Sequence, residues 1–365
     1  MLLNLEKYAK LLVNYSTRIQ KGDKVLIWGN TASVSMVREV YRLCVQKDAH
    51  PFVRMDFDDQ EYLRLKHSSK EALKYADPFM IFFTEKIDAA IIFRTNVNTR
   101  EMSNIDPEKL QISIIANNQM NTTFLGRAAI GEIRYVVAPY PTVGFAQEAD
   151  MSVDEFSDLI SRVTYLDKPD PAAEWEKMRE EQKKYVDYLN KSKEIRIVSK
   201  DTDITMNVEG RKWMNCAGYE NLPDGEIYTG PIEDSANGYI TFSYPVIFNG
   251  KEIQGIKLVF QNGKVVEASA KKNEEILLDK LKIPGANQIG EVAIGTNWAH
   301  QTFVKQILFD EKIGGTVHIA LGRGYPQTGS VAMSSLHWDI LCDMHDEGKI
   351  YADKELIYEK GQFLI

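Results

Sequence analysis

The chain has 365 residues, more than one hydrophobic core usually serves, so two domains are the default. It is 44% apolar and 26% charged, as globular proteins are, and its formal net charge of −8 argues against nucleic-acid or anionic-membrane partners, both of which want a basic surface. Three widely spaced cysteines, no signal-peptide pattern at Met1-Leu-Leu-Asn and no apolar run long enough to cross a bilayer together predict a cytoplasmic protein acting on a peptide or small molecule.

Leu5, Tyr8, Ala9, Leu12 and Val13 recur at helical spacing and predict a helix over 2–15. Val25 to Trp28 reads as a strand, Val34 to Cys44 as a helix and His50 to Met55 as a second strand, together a βαβ unit with parallel strands. The loop after the first strand holds only Gly29, and Gly322-Arg-Gly324 is a bare G-x-G, so neither makes a dinucleotide fingerprint. A Rossmann-like layer without a nucleotide is the better reading. Helical stretches follow at 60–66, 70–75 and 78–85. Ala89 to Phe93 is continuously apolar, as a strand buried on both faces is. Asp106-Pro107 opens another helix, Arg134 to Ala138 is a strand, and Ser152 with Glu155 forms a capping box for a helix to Val163. A charged helix over 172–190 reads as a connector, which places the boundary between an α/β domain, 1–190, and a second domain, 191–365.

From Glu194 onward the pattern is short alternating runs: 195–198, 204–208, 238–242, 245–248, 256–260 and 264–268. Asn249-Gly250 and Asn262-Gly263 are hairpin turns, and one helix lies over 273–281. This half is expected to be mostly antiparallel β, of α+β type and resembling an open barrel.

Four of the six histidines, His300, His318, His337 and His345, fall between residues 300 and 345. If 336–342 is a strand, Trp338, Ile340 and Cys342 share one face, and His337 and Asp339 project from the other, roughly 7 Å apart at a rise of about 3.4 Å per residue. His318 has a similar setting in 317–321. An imidazole and a carboxylate side by side suit a divalent metal. The competing reading is of strand histidines hydrogen-bonded to backbone, with Glu311 a solvated loop acid and Tyr325 a turn residue. No G-x-S-x-G and no Cys/His motif points to a nucleophile.

The segments Asn221-Leu-Pro-Asp-Gly-Glu-Ile-Tyr-Thr-Gly-Pro-Ile-Glu-Asp-Ser235, Ile289-Gly-Glu-Val-Ala293, Leu308-Phe-Asp-Glu311, His318-Ile-Ala-Leu-Gly-Arg-Gly-Tyr-Pro326 and His337-Trp-Asp339 resemble, in order, the aminopeptidase T and aminopeptidase S family of metallopeptidases. The resemblance implies a homodimeric exopeptidase that takes N-terminal residues from peptides with a metal-activated water. It also implies two divalent ions, zinc or cobalt, with magnesium or manganese as alternatives. Carried across by motif, Glu291, His318, His337 and Asp339 would be ligands, Tyr325 would stabilise the tetrahedral intermediate, and Glu311 or Glu291 would move the proton. His300 and His345 match no motif. The chain departs from the family where an E-G pair is expected and Gln254-Gly255 stands, so Gln254, or Glu252 beside it, becomes the remaining ligand candidate. That departure leaves a second reading, of a family member with an impaired metal site serving as a non-catalytic peptide-binding or dimeric scaffold.

Overall fold

The computed structural model describes residues 3–248 and 251–365, so the expected Asn249-Gly250 turn and the start of the first helix at Leu2 lie outside the described residues. The chain divides into two units, Met1–Ala172 with Gly218–Pro223, and Ala173–Ala217 with Asp224–Ile365. The division falls between Ala172 and Ala173, within the first turn of the long helix Pro171–Leu189. The helix goes with the second unit because its Val186 and Leu189 join that unit's apolar core, and Gln182 bonds Cys216 O and Glu226 O.

In the first unit, strands β1 (Lys24–Asn30), β2 (His50–Asp56), β3 (Ala89–Arg94) and β4 (Arg134–Pro139) form a parallel sheet in the order β2-β1-β3-β4. The inner strand β3 is apolar from Ala89 to Phe93 because helices cover both faces of such a sheet, whereas β2 is an edge with Phe52, Val53 and Met55 exposed. Between β1 and β2 runs the expected helix, Val34–Gln46. The first helix is α-helical over Leu5–Lys10 and continues as a π-helix over Leu11–Ser16. The stretch expected to be helical over 70–75 is one 3-10 turn, Ala72–Lys74. Tyr75 turns extended and ends it, and Asp77, held extended by the proline after it, caps the next helix, Pro78–Lys86. The capping box at Ser152 and Glu155 is present, with Glu155 N bonded to Ser152 Oγ at 3.2 Å.

The second unit is built from antiparallel strands. One sheet joins β5 (Glu194–Ser199), β6 (Thr202–Asn207), β9 (Asn237–Thr241), β12 (Lys257–Gln261), β13 (Lys264–Ser269), β17 (Lys349–Ala352), β18 (Glu355–Glu359) and β19 (Gln362–Phe363), in the order β13-β12-β9-β6-β5-β17-β18-β19. The other joins β7 (Met214–Cys216), β8 (Glu226–Thr229), β14 (Ile289–Gly295), β15 (Thr316–Gly322) and β16 (His337–Asp343), in the order β16-β15-β14-β8-β7. A small hairpin, β10 (Val246–Phe248) with β11 (Lys251–Ile253), completes the set. Asn262 and Gly263 both take positive φ, 48° and 76°, in the tight turn expected between β12 and β13. Both large sheets turn apolar faces to one core, shared by Ile197, Ile204, Ile240 and Leu258 on one side and Ile227, Val292, Ile319 and Ile340 on the other. Because side chains alternate along a strand, the opposite face of the five-stranded sheet is left for other residue types.

Candidate metal centre

That second face carries the imidazoles and carboxylates. Along β16, Trp338, Ile340 and Cys342 enter the core, so His337 and Asp339 point the other way. Along β15, Val317, Ile319 and Leu321 do the same and release His318. On β14 the register shifts between Ile289 and Glu291, which sets Glu291 opposite Ala320 while Val292 and Ile294 stay in the core. Gly290 permits this close passage: a Cβ there would lie 2.4 Å from Arg323 O. On β8, Ile227 is in the core, leaving Glu226 and Tyr228 on the site face.

Glu311 and Lys312 reach the same place from the end of the short helix Ile307–Asp310. Asp310 holds that turn by accepting from Val304 N and Gln306 N, each at 2.7 Å, and Asn297 N donates to Lys312 O at 3.1 Å.

The groups converge tightly. His318 Nε2 lies 3.3 Å from Glu291 Oε1, 3.3 Å from Glu226 Oε2 and 4.0 Å from Asp339 Oδ1. His337 Nε2 lies 3.4 Å from Asp339 Oδ1 and 3.8 Å from Glu291 Oε2, so the two oxygens of Glu291 face two different imidazoles. Ligand atoms of Glu226, Glu291 and His318 fall within 4.8 Å of one another, as do those of Glu311, His318 and Asp339. His337 Nδ1 is 2.7 Å from Arg323 O, which a ring N–H must satisfy, so Nε2 is the nitrogen left with a lone pair for a cation.

Charge makes the same point. Lys312 is completely buried, with Nζ 2.5 Å from Glu226 Oε1, 2.8 Å from Glu311 Oε1 and 3.6 Å from Asp224 Oδ1. Burial alone would strip its proton, but Glu226, Glu311 and Asp224 hold it charged. One ammonium against five acids leaves the centre strongly negative. Burial pushes the Glu311 carboxyl up to about 8, opposed by Lys312 and reinforced by Glu226 and Asp339. Burial would lower both imidazoles, yet the surrounding carboxylates raise His318 to about 9 and His337 to about 10. Asp339, although burial works against it, is held down to about 2 by His337 and His318. Without a metal the imidazoles must carry protons to offset the acids, a task a divalent cation would take over. Glu226 Oε2 and Glu291 Oε2 are buried and accept no hydrogen bond, both aimed among the imidazoles. Carboxylate oxygens and imidazole nitrogens in this density suit a divalent cation.

Tyr325 flanks the cluster, its ring 5.0 Å from the His337 ring and 5.5 Å from that of Tyr228. Burial and the acids of the centre hold its phenol well above the ordinary value, so it is an O–H donor.

Of the residues expected from sequence, Glu291, Glu311, His318, Tyr325, His337 and Asp339 come together. Gln254 does not. It is exposed, bridged to Lys272, and its amide donates to Glu252, which in turn pairs with Lys272 at 3.2 Å. The third carboxylate on the sheet face is Glu226, within the Asp-Gly-Glu-Ile-Tyr run already singled out. A signal existed there: Glu226 and Tyr228 alternate with Ile227, the same pattern that revealed His337 and Asp339. His300 is buried with its ring 6.0 Å from that of Phe309, and His345 pairs with Asp343 at 2.5 Å.

The family model described as thermophilic metalloprotease (M29) matches residues 3–363. Among curated proteins, the chain is 25% identical over 348 residues to aminopeptidase 2 of Geobacillus stearothermophilus, covering 88% of this chain and 84% of that one. It is 26% identical over 407 residues to aminopeptidase T of Thermus thermophilus, covering 99% and 98%. Among solved structures, wild-type AmpT from Thermus thermophilus superposes with a TM-score of 0.87 at 22% identity, over 99% of each chain, a likeness of fold.

Proposed function

This chain belongs to the thermophilic metalloprotease (M29) family, and from that membership we propose that it is a metal-dependent aminopeptidase releasing N-terminal residues from peptides. The observation that carries the reading is the convergence of Glu226, Glu291, His318, His337 and Asp339 on one sheet face, with His337 already tied through Nδ1. These five would hold two divalent ions, zinc or cobalt. Bound cations of this kind polarise a carbonyl and lower the pKa of water towards neutrality.

The remaining work falls to side chains. Glu311, with a carboxyl near neutrality and one oxygen tied to Lys312, takes a proton and returns it to the leaving amine. The Tyr325 O–H donates to the oxyanion of the tetrahedral intermediate, worth about 3 kcal/mol for such a donor. Lys312 keeps Glu226 and Glu311 apart and oriented. The impaired-site alternative rested on Gln254. With that residue outside the cluster and Glu226 inside it, the alternative loses its support.

A second copy of the chain is the partner we favour. The exposed edge strand β2 offers Phe52, Val53 and Met55, and the helix Pro78–Lys86 offers Phe79 and Phe82, an apolar surface that invites pairing. No described helix is long and apolar enough to cross a membrane. All three cysteines are thiols, which fits the reducing cytoplasm.

The test uses the whole chain stripped with chelator. Added zinc or cobalt should restore release of a chromogenic amine from an aminoacyl anilide, with two metals bound per chain and cleavage confined to N-terminal residues. Fewer than one metal per chain and no release would overturn the proposal.

A further inference from the structure

Tyr325 sits in the segment that links β15 to β16, and an irregular segment does not by itself hold a phenol to the tolerance that oxyanion stabilisation needs. Displacement of about 1 Å typically costs about a hundredfold in rate. Something must seat this segment. Tyr325 O accepts from Thr328 N at 3.0 Å and from Thr328 Oγ1 at 2.7 Å, and Thr328 O in turn accepts from Lys212 N at 2.9 Å. The next residue, Gly329, gives its carbonyl to the Arg211 guanidinium. Arg211 Nη2 also donates to Glu233 Oε2 at 2.6 Å, and Glu233 Oε1 accepts from Val331 N at 2.7 Å and Ser330 Oγ at 3.1 Å. The two charged side chains are mostly buried, 10% and 21% exposed, so the pair is less screened than a surface bridge. On the inner side, Gly324 packs so closely that a Cβ there would meet Ser330 Oγ at 2.1 Å and Gly290 O at 2.8 Å.

We propose that Arg211 and Glu233 are positioning residues for the reaction, an ion-pair strap across residues 329–331 that fixes where the Tyr325 hydroxyl stands. The strap engages the segment from outside the cluster of acids and imidazoles; Arg323 O of the same segment holds His337 Nδ1, so metal content is read beside kcat to separate the two routes. This rests on the role given to Tyr325 above, and the experiment separates the two.

The test is a double-mutant cycle on the full, metal-loaded chain, with Arg211→Ala and, as a shape-conserving second variant, Glu233→Gln, each made alone and with Tyr325→Phe. Metal per chain and the far-UV spectrum are measured beside kcat and KM. The strap predicts that Arg211→Ala lowers kcat by about a hundredfold with KM and metal content unchanged. Glu233→Gln should give a smaller loss of the same kind, and Arg211→Lys should recover part of the rate. In the Tyr325→Phe background, where kcat is already down by about 100–1,000-fold, either change should cost less than about threefold more. A full hundredfold loss persisting in that background, or a loss explained by metal release, overturns the strap and leaves the role of Tyr325 standing. A Tyr325→Phe chain with undiminished kcat overturns the role of Tyr325 itself, and the strap with it, while metal dependence is judged separately. If Arg211→Ala fails to fold, Glu233→Gln and Arg211→Lys carry the cycle and decide it.

Discussion

Replacing Lys312 with methionine removes the single ammonium that three carboxylates share inside the second unit. The perturbation is unusually well defined, because Lys312 is about as long as methionine and its side chain is only 1% exposed. Glu226 loses a partner at 2.5 Å, Glu311 one at 2.8 Å, and Asp224 one at 3.6 Å. Deleting one member of a buried ion pair typically costs about 3–5 kcal/mol, since the surviving charge keeps its desolvation penalty and loses its compensation. A surface pair would cost about 0–1 kcal/mol. At about 2–4 °C per kcal/mol for a unit of this size, the melting temperature of the metal-free protein should fall by about 6–20 °C. Circular-dichroism melts at pH 7 in chelator measure it. Saturating zinc or cobalt should recover part of the loss, because a cation that binds only the folded state stabilises it and neutralises Glu226. A drop smaller than about 2 °C would show that the ammonium does not balance the acids, and would undo the electrostatic account of the centre.

Glu226→Gln should weaken metal binding by more than about a hundredfold, beyond what losing an outer partner of a ligand costs, whereas Gln254→Ala should leave it unchanged; isothermal titration of the stripped chain reads both, and equal effects would count against the assignment. The Arg211–Glu233 pair should stabilise the fold in a pH-dependent way. Although burial raises the Glu233 carboxyl, its bonds to Val331 N and Arg211 lower it overall. A depressed acid contributes stability that is complete above its unfolded value and is lost as pH falls through its folded value. The urea midpoint of Glu233→Gln should therefore lie below that of the parent chain at pH 7 and converge on it as the pH falls below the ordinary carboxylate range; a constant gap would contradict the sign. Gly263→Ala should destabilise by more than about 1 kcal/mol, because residue 263 holds φ at +76° and an added Cβ would meet Glu233 O at 1.9 Å. An unchanged urea midpoint would count against that turn geometry.

Much of the site was legible along the chain because strand alternation is a local property. Once 336–342 is a strand, Trp338, Ile340 and Cys342 must leave on the side opposite His337 and Asp339, whatever the rest of the molecule does. The same holds for His318 among Val317, Ile319 and Leu321, for the Ser152–Glu155 box and for the Asn262-Gly263 turn, each written within a few residues. Pairing between strands is not written that way. Glu226 and Lys312 are 86 residues apart and meet because β8 lies beside β14 and the Ile307–Asp310 turn folds over the sheet face. The alternation of Glu226 with Ile227 and Tyr228 is local, but that its strand lies beside β14 on the site sheet, while Gln254 makes only an isolated bridge to Lys272, is decided by tertiary pairing. The burial of Lys312, the grip of Arg211 and Glu233 on the Tyr325 segment, and the transfer of the helix Pro171–Leu189 to the second unit are likewise products of contacts between distant segments. Local periodicity specifies which way a side chain points, and only the packing of segments far apart in the chain specifies what it meets there.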